Sequence, residues 1–216
     1  MKLLLLIASI VLFAVNSAAQ PKPTSAADYQ GAFQYAVSET NAAFPFIFTV
    51  IVDEYANGKK ISSESIANER QAAGVQRITR TILKDGKKST SFQVSVGFGK
   101  VYCSFDGTSW QGPQKYECGG PTRLYGRRET ESAEYSVEDK TLDGEKVNIY
   151  REYLIYKPTE VSGKKEFKET FATIDSRGFF ITVTNNEGTL EPPVVTLIRK
   201  QTWDFKTPLK PVVAPK

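Results

Sequence analysis

Thr90-Ser-Phe-Gln-Val-Ser-Val-Gly-Phe98 reads as a strand, with Phe92, Val94, Val96 and Phe98 on one side and Gln93 and Ser95 on the other. Successive side chains of a strand point to opposite faces, so an apolar-polar period of two marks a sheet with one buried face. Asp85-Gly86 lies before this stretch and Asp106-Gly107 after it; such dipeptides accept the positive φ of two-residue hairpins. Outward from there, strand signals recur at 46–52, 60–69, 75–83, 101–105, 133–142, 146–156, 166–174, 179–184 and 194–203. Asn57-Gly58 and Asp143-Gly144 are further tight turns, and Ser176-Arg-Gly178 and Asn185-Asn-Glu-Gly188 are slightly longer ones. Strands joined by tight turns pair antiparallel, which predicts a meander and not a parallel sheet with crossover helices.

One helix stands apart from this pattern. Tyr29, Phe33, Ala36, Val37 and Thr40 recur at spacings of three and four over 25–40, and Ser25 with Asp28 forms a capping pair. A long meander with one amphipathic helix predicts a mainly β (α+β) fold: an antiparallel sheet curled into an unclosed barrel, with the helix on the concave face. Lys2, the apolar run 3–15 and Asn16-Ser-Ala-Ala19 predict a signal peptide cleaved after Ala19. The run is shorter than the roughly 20 residues of a spanning helix, so a periplasmic or secreted protein is expected and not an integral membrane protein. The domain reading is a linker at 20–24, a single domain over 25–207 and a Pro-rich flexible tail at 208–216.

Composition narrows the chemistry. The 216-residue chain has no histidine, which removes Ser-His-Asp and Cys-His catalytic pairs and His-bearing zinc sites. No metal site and no cofactor is expected. Candidate carboxylates for acid-base work are Asp53-Glu54, Glu129, Glu131 and Asp139, but adjacent strand residues point to opposite faces, and Asp106, Asp143 and Asp175 are explained by turns. A non-enzymatic protein is therefore expected. The formal charge of +4 is small, and the doublets Lys59-Lys60, Lys87-Lys88, Arg127-Arg128 and Lys164-Lys165 are dispersed next to turn residues, so no nucleic-acid partner is expected. Cys103 and Cys118 are the only cysteines, and export favours a disulfide between them, worth about 3 kcal/mol in the chain-entropy picture.

Val101-Tyr-Cys-Ser-Phe-Asp-Gly-Thr-Ser-Trp110 places an aromatic-Asp-Gly hairpin before a Trp, and Ile174-Asp-Ser-Arg-Gly-Phe-Phe180 is a strand-turn-strand shortly before the last strands. With the N-terminal helix and the meander, these segments resemble the periplasmic lipoprotein carrier (LolA/LolB-like) proteins. The resemblance implies an unclosed barrel whose apolar cavity accepts acyl chains without chemistry. Those carriers latch their helices through a basic residue; Arg70, Arg77 and Arg80 are all possible counterparts and none is singled out.

The expected function is the binding of a hydrophobic ligand (an acyl chain, a lipid or a lipoprotein) in the concave face. Its expected lining is Phe46, Phe48, Val50, Phe92, Val94, Val96 and Phe98, with Trp110 at the mouth. The alternative is an envelope protein-interaction or sensor module with a filled core, in which a protein partner takes the place of the ligand.

Overall fold

The computed structural model describes residues 20–114, 118, 128–158 and 163–215; the expected signal peptide, 1–19, lies outside them. Among the described residues, one antiparallel sheet of twelve strands runs in the order β1-β8-β9-β10-β11-β12-β2-β3-β4-β5-β6-β7. The strands are β1 (Lys22–Pro23), β2 (Phe46–Ala56), β3 (Lys59–Ala72), β4 (Val75–Lys84), β5 (Lys87–Val96), β6 (Val101–Ser104) and β7 (Gln111–Gln114). The remainder are β8 (Thr130–Leu142), β9 (Glu145–Tyr156), β10 (Glu166–Asp175), β11 (Phe180–Leu190) and β12 (Pro193–Asp204). The end strands β1 and β7 do not pair with each other, so the sheet is not closed into a barrel.

Helix α1 (Ala26–Ala42) begins as the sequence predicts: the Asp28 N–H donates to Ser25 Oγ at 3.0 Å. Its stripe of Tyr29, Phe33, Ala36, Val37 and Thr40 lies on the β8–β12 half of the sheet. Ala36 packs into a buried cluster with Ala172 and Ile174 of β10 and Phe180 and Val183 of β11, and Phe33, Val37, Tyr150 and Trp203 close around it. Tyr29 reaches the rings of Tyr135 at 5.3 Å and Tyr150 at 6.4 Å, which spreads helix contacts over β8 and β9. The helix is also tied to the sheet by a buried polar contact, the Phe180 N–H donating to Thr40 Oγ1 at 2.9 Å.

The expected tight turns at 57–58, 85–86 and 143–144 have positive φ at both residues, from 51° to 82°, as two-residue hairpins require. Asp106-Gly107 does not make such a turn. The Asp106 carboxylate instead accepts the N–H groups of Thr108 and Ser109 and folds a short loop between β6 and β7, and those bonds hold its pKa far below the usual carboxylate range. At 175–179 the turn is as expected, with Asp175 accepting from the N–H groups of Arg177 and Phe179 and from the Arg177 guanidinium.

Three expectations are corrected. Asn185-Asn-Glu-Gly188 is not a turn but the interior of β11, because cross-strand pairing with β10 and β12 continues through it; the chain reverses after Leu190 instead. Lys22 and Pro23 of the expected linker pair with Val137 and Ser136 of β8 as an edge strand. The tail expected to be flexible is docked: Gln71 Nε2 donates to Lys210 O at 2.8 Å, the Val212 N–H donates to Gln71 Oε1 at 3.0 Å, and Val212 is buried.

Candidate functional site

Directly opposed residues of an antiparallel pair share a face, so the register decides what the helix side of the sheet presents. Trp203 of β12 opposes Phe48, and Phe48 opposes Asn68; Val50 opposes Ile66, Ile66 opposes Arg80, and Arg80 opposes Ser91. Phe46, Phe48 and Val50 therefore lie on the helix side. Phe46 is 1% exposed between Phe44 and Phe205, with centroids at 5.5 and 5.6 Å, and Phe48 packs on Trp203 at 4.9 Å. Phe46 and Phe48 thus pack against protein rings, and Val50 is buried beside them on the same strand.

The expectation that β2 and β5 line one apolar face is corrected by the same register. On β5 the helix side carries Ser91, Gln93 and Ser95, while Phe92, Val94 and Val96 face outward opposite Thr79, Arg77 and Val75. Both strands place apolar residues at even positions, but the pairing inverts the phase between them. Phe98 does not continue the strand either; it sits between Gly97 and Gly99 in the turn after β5 and is 86% exposed. Trp110 is half-buried just before β7.

A cavity of about 530 Å³ opens where the end of α1 meets β3–β6, lined by Asn41, Phe44, Arg70, Gln76, Ser95 and Val101, with Phe98 and the backbone of Gly74, Gly97 and Gly99 at its edge. A second cavity, of about 550 Å³, includes Arg80, Ile82, Ser91 and Cys103 at the other end of these strands. It wraps the edge of β5 where that strand runs past the end of β6, so Thr90 and Phe92 of the outer face also line it. Each volume lies in the range that takes a small-molecule ligand.

Electrostatics separate the arginines. Arg77 pairs with Glu69, Arg80 with Glu64, Arg128 with Glu166 and Arg151 with Glu169. Arg70 is the exception among the described half-buried arginines. It has no carboxylate or hydrogen-bond partner among the described residues, its Nε is buried, and its guanidinium carbon lies 5.9 Å from the Phe46 ring centroid. Neighbouring Asn68 keeps its own buried Oδ1 without a partner while its Nδ2 donates to Gln76. The sequence offered no signal to prefer Arg70, since the partners of Arg77 and Arg80 are brought near by strand pairing.

Cys103 and Cys118 form the expected disulfide, and the Cys118 N–H donates to buried Gln93 Oε1 at 2.9 Å, so the bridge anchors this residue over the helix side of β5. The carboxylates considered for catalysis are engaged elsewhere: Asp53 accepts from Ser63 at 2.6 Å and Lys60 at 3.0 Å, and Glu129 from Lys157 at 2.6 Å. Among the described residues no three Cys, Asp or Glu groups gather to hold a metal, and no helix is long and apolar enough to cross a membrane.

A third cavity, of about 350 Å³, lies beside α1 between Gln30, Gln34, Glu152, Lys168, Asn185 and Gln201. Burial pushes the Glu152 carboxyl above its ordinary value despite the opposing effects of Lys168 and Thr170. A carboxyl whose folded pKa is raised binds its proton more tightly in the folded chain, so stability falls as pH climbs from the ordinary carboxyl range through the raised value. Glu152→Gln is thus expected to melt above the wild type at pH 7, with the gap closing toward pH 4. A variant that melts lower than the wild type at pH 7 contradicts this.

No protein-family model and no curated protein matches the chain. Among solved structures, a crystal structure of a domain assigned to outer membrane lipoprotein sorting, from Vibrio parahaemolyticus, is similar to it. The similarity covers 86% of this chain and 95% of that one, at 10% identity and a TM-score of 0.27.

Proposed function

We propose that the protein is an exported, non-enzymatic binding protein for an amphiphile, meaning an acyl or comparable apolar chain that carries an anionic head. The observation that carries this reading is Arg70, a half-buried guanidinium with no carboxylate partner among the described residues, on the wall of a cavity of about 530 Å³. Withdrawing a charge from water is costly unless a partner offsets it, and the planar fork of a guanidinium matches a carboxylate or phosphate. Asn41, Gln76 and Ser95 supply further polar groups around such a head, while Phe44, Val101 and exposed Phe98 offer apolar surface to the chain behind it. The mixed lining favours an amphiphile over a bare hydrocarbon.

The test is a titration of the mature protein with a fluorescent long-chain fatty acid and with its uncharged methyl ester. The acid is expected to bind about tenfold tighter than the ester, equivalent to about 1.4 kcal/mol. Arg70→Gln is expected to bring the acid to the level of the ester. Equal binding of acid and ester by the wild type, or undiminished acid binding by Arg70→Gln, rejects the proposal. The second reading, a protein-interaction module, is favoured by the docked tail on the opposite face of the sheet.

A further inference from the structure

The last residues of the chain are held in a way that reads backbone and not side chains. Gln71 uses both halves of its amide, donating from Nε2 to Lys210 O at 2.8 Å and accepting from the Val212 N–H at 3.0 Å. A carbonyl and an N–H two residues apart are what an extended segment presents along one edge. Arg77, itself fixed by Glu69 at 2.8 Å, adds a donor to Pro211 O at 3.3 Å. Val212 is buried at 9% exposure, whereas Val213 is 66% exposed; Leu209 and Pro215 are half-buried. Pro208, Pro211 and Pro215 bias the segment toward an extended conformation before it docks, which lowers the ordering cost.

The place of the clamp gives it a purpose. Arg77 opposes Val94, on the face of β5 turned away from α1, where Val94 and Val96 make an apolar stripe. Val94 is buried on this face, the same face from which Gln71 and Arg77 hold the segment. Three hydrogen bonds of about 0.5–1.5 kcal/mol each, together with one buried valine, make a contact that exchanges readily.

We infer that the Gln71–Arg77 clamp is a docking site for an extended, proline-flanked peptide with an apolar residue at the place of Val212, occupied in cis by the chain's own tail. A partner protein carrying such a segment binds by displacing that tail. The site lies on the opposite face from Arg70 and does not rest on the ligand proposed there.

The experiment measures binding of a labelled peptide of residues 206–216 to the mature full-length chain. In the wild type the tethered tail competes at an effective concentration in the millimolar range and weakens binding. Val212→Glu in the chain loosens the tail and is expected to tighten peptide binding at least tenfold; adding Gln71→Ala is expected to lose that gain. A peptide with Glu in place of Val212 is expected not to bind. Peptide binding unchanged by Val212→Glu, or unaffected by Gln71→Ala, overturns the inference. So does a wild-type dimer that Gln71→Ala abolishes, since a second copy's tail is then the occupant. Should Val212→Glu fail to fold, deuterium exchange over 208–215 of the wild type decides. Protection that falls on adding excess peptide supports the site, and protection unchanged at the highest peptide concentration overturns it.

Discussion

Phe180→Ala is expected to lower the unfolding free energy by about 3–5 kcal/mol, a large part of the roughly 5–15 kcal/mol that holds a domain of ordinary stability together. Phe180 is 2% exposed at the start of β11, with its ring 5.0 Å from Phe33 of the helix and 5.1 Å from Trp203 of β12. It is the point at which helix, β11 and β12 meet. Truncation leaves a cavity that these rings cannot fill without moving the helix off the sheet, and it strips Trp203 of one stacking partner. Urea unfolding followed by tryptophan fluorescence measures the loss. A cost below about 1 kcal/mol means that this cluster does not anchor the helix, and the picture of one half of the sheet filled by α1 fails.

Gly188→Ala is expected to cost at least about 2 kcal/mol although it adds one methyl group, because overpacking against rigid neighbours is relieved only by moving them. A Cβ at this position would lie 2.0 Å from Val194 O and 2.9 Å from the Phe167 ring. The nearer obstacle is backbone of the partner strand, at the irregularity where Glu187 pairs with Leu197 and Gly188 with Val195. Gly188 is needed for close approach of two strands at a bulge. Had Asn185-Asn-Glu-Gly188 been an exposed turn, alanine there would meet no strand. A melting temperature within about a degree of the wild type contradicts the bulge.

What was legible in the sequence is what local chemistry controls. Asn57-Gly58, Asp85-Gly86 and Asp143-Gly144 carry their backbone preference within two residues, Ser25 caps its helix within four, and the apolar stripe of that helix needs no knowledge of the sheet. Together with the strand signals at 46–52, 60–69, 75–83, 90–98, 101–105, 133–142, 146–156, 166–174, 179–184 and 194–203, these features place ten of the twelve described strands and the helix. The face of each strand is a different matter. Phe46, Phe48 and Val50 share the parity of Phe92, Val94 and Val96, yet the chain of pairings through Ile66 and Arg80 sets them on opposite sides. A shift of one residue in register exchanges the two faces, and no single strand records it. β7 leaves no mark in the sequence because Gln111-Gly-Pro-Gln114 has no apolar alternation; it exists through pairing with β6. The docking of the tail was hidden for a similar reason, since its anchor, Gln71, lies far away in sequence. Arg70 stands out only after the other half-buried arginines have found their carboxylates.

The proposed occupant of the cavity walled by Arg70 is an anionic amphiphile. The decisive experiment is native mass spectrometry of the protein purified from its own host, followed by denaturation and lipid analysis. The expected result is an acyl-bearing anionic species bound one to one, and its loss from Arg70→Gln prepared in the same way. A wild-type protein that arrives empty and also fails to take up the fluorescent fatty acid contradicts it.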